Sequence, residues 1–437
     1  MHARRRDGTR MDTTDDTIRI RFATEDDWQA VYANQAGAYG VSVDPADVEA
    51  WKRRVDLEDI LVAEDVSDPA RPTVVGTSLC YKLRLTVPGG ATLKAAWLAM
   101  IAVAATHLGR GVWQQLSIRG FGILQERNYP ILCGVPTQPT VYEILGAGVA
   151  SYARTYNIEP RFTDLRAKPE RNRARVVEAD EARGLLPDLY DRWCAVTPGA
   201  LSRSRAWWAD VLEDRVTQRD NGSTLNYVVH PDGFMTYRVI GASPHAFRRP
   251  FGNLIVQDFC PITPEAHTDL LATLLSLKMF DNSVIETPVD DPLPLKLKDQ
   301  LAAQTTKVND FLWMRIMNVP EVLPKRAYRA DADLVLDVTD PLGVAGGRFL
   351  LRIRDASEPA RRTTGPPTSR SVWAIWDRST WVRIAPGNST RPTASPNCAA
   401  VRCSTWTPRS PRNGRPTAAR CSDAGAHAPV RATRLPG

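Results

Sequence analysis

Met100-Ile-Ala-Val-Ala-Ala-Thr-His-Leu-Gly-Arg-Gly-Val-Trp-Gln-Gln-Leu116 decides how this chain is to be read. An apolar run ends in His107-Leu108-Gly109-Arg110-Gly111 and passes directly into a helical pattern. Glycine reaches backbone conformations closed to other residues, so such a turn can aim successive N–H groups one way. The helix that follows adds unpaired N–H groups and the positive end of its dipole. Strand, glycine turn and helix in that order make an anion cradle, and a phosphate or pyrophosphate is its natural guest.

On the N-terminal side of the cradle, residues 18–22 alternate like a strand. Thr24-Glu-Asp-Asp-Trp28 reads as a helix start, with a Thr cap and acids in the first turn. Residues 44–54 form a second short helix; 60–64, 73–87 and 91–103 read as strands, with Pro88-Gly89-Gly90 turning a hairpin. Helix 111–127 is followed by strand 131–135, and Tyr142 opens the next short helix. This order predicts an α+β domain with a mixed, mostly antiparallel sheet.

A second unit echoes the first. Strands 225–230 and 234–240 flank Pro231-Asp232-Gly233, strand 253–259 follows, and Thr263-Pro264-Glu265 caps a helix to about Lys278. Cys260-Pro-Ile-Thr-Pro264 stands where the glycine cradle would be, so this copy is expected to lack a phosphate site. Its opening helices are placed at 179–196 and 202–214. A third unit begins near Pro320, with a short helix at 321–326 and strands at 332–338 and 347–353.

After Ile353 the texture changes. Residues 354–437 carry 14 Arg, 11 Pro, no Lys and only four acids, so the chain's net charge of +7 resides there and the rest is slightly acidic. Trp373, Trp376, Trp381 and Trp406 follow neither a strand nor a helix period. Two readings compete: a disordered basic tail, and out-of-frame translation of GC-rich DNA, which would explain the tryptophans. Either way the basic balance does not argue for a nucleic-acid partner. No apolar stretch is long enough to cross a membrane, and no secretory core follows the basic N-terminus, where 1–17 are expected to be disordered. The seven cysteines form no C-x-x-C pair and the six histidines do not cluster, so a cytoplasmic protein without a metal site is expected.

Met100–Leu116 resembles motif A of the GNAT acetyltransferases. Thr24–Trp28, Leu83-Arg-Leu-Thr-Val-Pro-Gly89, Ala102–His107, Tyr142, His230-Pro-Asp-Gly233, Asp291-Pro-Leu-Pro294 and Trp313-Met-Arg-Ile-Met-Asn-Val-Pro320 are similar to the enhanced-intracellular-survival (Eis) acetyltransferases of actinobacteria. The resemblance implies tandem GNAT domains, at 18–163 (catalytic) and 164–302 (without a cofactor site). The start of a sterol-carrier-protein-like α+β domain would follow at 303–353, then the irregular tail at 354–437. It further implies a homohexamer that transfers acetyl from acetyl-CoA to a primary amine such as an aminoglycoside or a lysine side chain. A non-catalytic acyl-CoA-binding or assembly protein of the same fold is the alternative. The backbones of Ile101, Ala102 and Val103, the turn Gly109, Arg110, Gly111, Val112, Trp113 and Gln114, and Thr137 and Gln138 would hold acetyl-CoA. Tyr142 would be the general acid, and Trp51 would line the amine pocket, with simple helix packing the equal alternative for it; His107, by its position, reads as a loop residue capping the turn. The C-terminal carboxylate, here Gly437, would be the base.

The sequence departs from that pattern at four places. Leu108 and Gly109 stand where Arg or Gln, and often Arg, would hold phosphate, and Trp113 fills a small position. Thr137-Gln-Pro-Thr140 lacks an acid that would attract cationic amines, and Val41 stands for an acidic pocket residue. Gly437 ends a segment unlike the family's. Activity is therefore expected to be low, and removing the last few residues should change the acetylation rate little; a large loss on truncation would refute this.

Overall fold

Apolar, β-branched runs gather β1 (Ile18–Phe22), β2 (Ile60–Asp65), β3 (Thr73–Thr86), β4 (Thr92–Val103) and β5 (Ile131–Gly134) into one sheet of the computed structural model. The structure describes residues 16–40, 44–170, 173–241, 252–328, 330–340 and 342–354, and the backbone of three short strands between 361 and 386. The first sheet has the order β1-β2-β3-β4-β5-β14-β6, where β6 is Gly148–Val149 and β14 is Trp313–Ile316. β1 to β4 are antiparallel neighbours, whereas β4 and β5 run parallel. Alternation along β2 gives the sheet two apolar faces. Ile60 and Val62 pack under α1 (Trp28–Tyr39) and α2 (Pro45–Lys52), whereas Leu61 and Ala63 pack under α3 (Val112–Glu126).

Local signals place these helices. Asp44 caps α2 by accepting from the Ala46 N–H (2.8 Å), with Pro45 at the first helical position. The α3 helix sits close to the sheet because Gly76 has no side chain: a Cβ there would lie 2.9 Å from Val112 Cγ1. The short helix expected to open at Tyr142 begins earlier, as α4 (Pro139–Ile144). Proline suits a first helical position, since its fixed φ is helical and its missing N–H would be unpaired there anyway.

The second sheet has the order β13-β7-β12-β11-β10-β9-β8. Its strands are β7 (Tyr152–Ile158), β8 (Arg175–Val177), β9 (Asn226–His230), β10 (Gly233–Ile240), β11 (Asn253–Pro261), β12 (Asn282–Pro288) and β13 (Ala303–Asp310). Its helices are α5 (Ala179–Val196), α6 (Arg205–Glu213) and α7 (Pro264–Ser276). The α6 helix starts later than position 202, because the Ser204 hydroxyl takes the Trp207 N–H (3.1 Å) as its cap.

The two sheets exchange strands. β7, placed by sequence in the first domain, pairs with β12 and β13 of the second sheet. β13 and β14, which the resemblance assigned to the domain at 303–353, complete the second and first sheets respectively. The third sheet, β17-β16-β15-β19-β18, is built on β15 (Ala332–Val338) and β16 (Gly347–Ile353). Its other strands, β17 (Arg361–Arg362), β18 (Ser369–Val372) and β19 (Val382–Pro386), lie in the segment expected to be irregular. The open edges of a hairpin offer unpaired N–H and C=O groups to passing backbone whatever its side chains. The remainder of 355–437, with its four tryptophans, lies outside the described residues, as do 1–15. Among the described residues, no helix is long and apolar enough to cross a membrane.

Candidate active site

The site begins where two parallel strands part. β4 and β5 pair from Ala95↔Ile131 to Trp97↔Cys133; β5 then ends at Gly134 while β4 continues along β3 to Val103. Past the fork, Met100 and Ile101 stand opposite the single residue Ser78, a β-bulge, and Met100 has a left-handed φ of 52°. Buried Gln35 of α1 pins this bulge, its Nε2 donating to Met100 O (2.6 Å) and Thr77 Oγ1 (2.5 Å). Beyond the bulge the Ala104 N–H is bound to Val75 O at 2.8 Å. By the antiparallel alternation Ala102 therefore faces β3, and Ile101 and Val103 turn their N–H groups toward the fork. Of the three backbone donors expected for the cofactor, Ala102 is thus spent in the ladder.

The glycine turn lies at the end of β4. Gly109 (φ 80°) and Gly111 (φ 73°) both hold left-handed conformations that a side chain would strain. The Gln115 N–H is given to Gly111 O (3.1 Å), so the N–H groups of Val112, Trp113 and Gln114 precede that first bond of α3 and point out of its N-terminus. The Arg110 guanidinium is held by Asp65 (3.2 Å) and Thr17 Oγ1 (2.9 Å). His107 Nε2 meets the same Asp65 oxygen at 2.8 Å and Nδ1 meets Thr106 Oγ1 at 2.8 Å, so His107 braces the turn as expected of a loop residue. The His107 bond, with the N–H of Ser67, holds the Asp65 carboxyl well below the usual range. Leu108 is 67 % exposed.

Tyr142 fills the other side of the fork. Its hydroxyl donates to Leu98 O (3.4 Å), and its ring meets the edge of Trp313 at 6.3 Å between centroids. Gly134 gives it room: a Cβ there would lie 2.6 Å from the hydroxyl and 3.0 Å from Leu98 O. Burial disfavours the phenolate and pushes the hydroxyl well above its ordinary 10.0. Nearby Cys80 is likewise pushed up by burial, to about 12, which leaves it without nucleophilic thiolate at neutral pH. Thr137 and Gln138 are exposed at the entrance to α4.

Other expectations fare differently. Trp51 is 3 % exposed, its Nε1 donates to Tyr81 OH (3.0 Å), and its ring packs edge-on against Trp28 and Tyr32, which is a core role. Gly437 and Val41 lie outside the described residues. Asp56, Glu58 and Asp59 surround Lys82 Nζ at 3.0, 2.7 and 2.9 Å, so lysine is the cation of that cluster. In the second sheet the Thr263 hydroxyl takes the Ala266 N–H (3.1 Å), so α7 caps itself where α3 is left open. Gln35, Gly134 and Trp313 escaped sequence reasoning as site residues; a buried glutamine on an otherwise apolar helix face was the available signal for the first.

The acetyltransferase (GNAT) domain family matches residues 19–150, and a second acetyltransferase (GNAT) family matches 199–316. The first match stops before β7, in keeping with that strand's place in the second sheet. The N-acetyltransferase Eis of Mycobacterium tuberculosis is 31 % identical over 370 residues, 83 % of this chain and 88 % of that protein. An uncharacterized N-acetyltransferase of Streptomyces griseus is 30 % identical over 312 residues, 68 % of this chain and 73 % of that one. The crystal structure of Eis1 from Mycobacterium abscessus superposes with a TM-score of 0.69 at 26 % identity, covering 80 % of this chain and 86 % of that one.

Proposed function

Since this chain belongs to the Eis family of N-acetyltransferases, we propose that the fork between β4 and β5 is where its acetyl transfer takes place. The observation that carries this is the Tyr142 hydroxyl held against Leu98 O at the fork, in a space that glycine at 134 leaves open, with burial favouring its protonated form. Acetyl-CoA fits this arrangement: the turn at Gly109 and Gly111 leaves backbone N–H groups for its pyrophosphate, and the fork leaves room for its pantetheine arm. It supplies an activated acetyl thioester. The N–H groups of Ile101 and Val103 orient and polarise the acetyl carbonyl. Tyr142 holds the proton that the departing sulfur takes, and the proton released by the acylated amine passes to solvent, from which the tyrosinate is reprotonated. Trp113, Gln114, Thr137 and Gln138 border the cofactor.

The acceptor is a primary amine, with aminoglycosides and lysine side chains as the two classes to try. The test is to follow thiol release from acetyl-CoA over a panel of such amines and to weigh the products for one added acetyl group. Acetylated amine in step with released thiol supports the reading, whereas binding of acetyl-CoA without turnover on any amine supports a non-catalytic acyl-CoA-binding role. We further read the third sheet as the start of a sterol-carrier-protein-like domain, the enzyme as a homohexamer, and its compartment as the cytoplasm. Cys80, Cys133, Cys194 and Cys260, free thiols among the described residues, support that last reading.

Leu108 weakens the cradle. A guanidinium at this exposed position gains a charge-assisted bond to phosphate of about 1.5 kcal/mol or more, so Leu108→Arg should bind acetyl-CoA on the order of tenfold tighter. Calorimetric titration checks this; unchanged affinity would remove Leu108 from the cofactor's surroundings.

A further inference from the structure

Among the described residues Arg315 is the largest fully buried side chain, and nothing in the transfer reaction asks for it. It lies on β14, two residues after Trp313, whose ring packs on Tyr142. Its Nη2 holds both oxygens of Asp340, at 2.9 and 2.7 Å, with the two side chains only 2 % and 5 % exposed. Its Nη1 donates to Leu145 O at 2.8 Å, and its guanidinium lies over the Phe121 ring. Leu145 caps the C-terminus of α4, the helix that carries Tyr142. Asp340 belongs to the loop between β15 and β16 and also accepts the N–H groups of Leu342, Val344 and Ala345. A continuous polar chain therefore runs from the hairpin of the third sheet, through Asp340 and Arg315, to the last turn of the Tyr142 helix.

We propose that Arg315 and Asp340 are positioning residues that fix the Tyr142 hydroxyl in the fork, so that the third sheet sets the efficiency of proton donation in the first. The proposal rests on the reading of Tyr142 as the acid. Two features favour it over a purely structural clamp. The α4 helix spans only six residues, four of them exposed, so it has little packing of its own to fix its register. A cation at a helix C-terminus also complements the negative end of the dipole there, and Arg315 has its charge balanced by Asp340 while it does so.

The full-length enzyme carries the test, as kcat, KM and acetyl-CoA affinity in a double-mutant cycle with Tyr142→Phe. Asp340→Asn is expected to lower kcat about tenfold with acetyl-CoA affinity within about twofold, and to cost less than about twofold once Tyr142→Phe has removed the group being positioned. Equal losses in both backgrounds, with Tyr142→Phe itself impaired, overturn the proposal and leave the acid assignment standing. Full turnover in Tyr142→Phe alone overturns both. Should Asp340→Asn fail to fold because a buried guanidinium is left half-paired, Arg315→Met with Asp340→Leu keeps the volume apolar and breaks the same link. That pair is expected to show the same kcat loss, and wild-type kcat in it overturns the proposal.

Discussion

Tyr142→Phe is expected to lower kcat on the order of 100-fold, the lower end of what a positioned general acid contributes, and to leave acetyl-CoA affinity nearly unchanged. The ring remains, so its edge contact with Trp313 and its packing are kept; only the hydroxyl that donates to Leu98 O is lost. The pH dependence follows with a definite sign. Burial raises the hydroxyl above its ordinary 10.0, so the protonated, donating form persists through that pH. No loss of kcat from tyrosine ionisation is expected up to pH 10, where an exposed tyrosine would already be half ionised. Steady-state kinetics of the two proteins across the alkaline range decide it. A fall centred below pH 10 in the wild type and missing in the variant would show an acid of ordinary acidity. Undiminished turnover in the variant would show that another group protonates sulfur.

Gly134→Ala should be nearly as damaging, through a single methyl group. The new Cβ lies 2.6 Å from the Tyr142 hydroxyl and 3.0 Å from Leu98 O. The carbonyl belongs to β4 and cannot withdraw, so the tyrosine must swing out of the fork. Overpacking of this kind costs about 1–3 kcal/mol, enough to lower the thermal midpoint by a few degrees and leave the protein folded. We expect kcat to fall at least about tenfold, as for a misplaced catalytic group, with weaker acetyl-CoA binding because the methyl occupies the fork. Gly184→Ala is the control: it lies in α5, where an added Cβ meets nothing within 4 Å. Equal effects from both substitutions would mean that the fork is not the site of transfer.

The glycine turn was legible because Gly109 and Gly111 are demanded by backbone geometry, β1 because it alternates, and β2 to β4 because of their apolar runs. Tyr142 was legible only through resemblance, since a tyrosine on a short helix carries no local mark of its role. Trp51 stayed between two readings in the sequence, because a tryptophan suits a pocket wall and a core equally; in the structure Tyr81 and Trp28 pack against it. The strand exchange was beyond sequence patterning. β13 is a polar edge strand with five successive exposed residues, and β14 is four residues long with an arginine in its buried run, so neither shows a strand period. The spent N–H of Ala102 depends on a bulge at Met100, which has no glycine to announce it.

The exchange of β7 and β14 has a consequence for how the protein is made. The first sheet waits for a strand that leaves the ribosome more than 150 residues after β6. Until then β5 presents a bare apolar edge, ready to pair with any other chain. A fragment ending after β6 would keep that edge permanently, although it contains the whole fork, the glycine turn and Tyr142. Long-range pairing of this kind slows folding. The catalytic half therefore matures only together with its non-identical twin, and the two should unfold as one cooperative unit rather than in sequence.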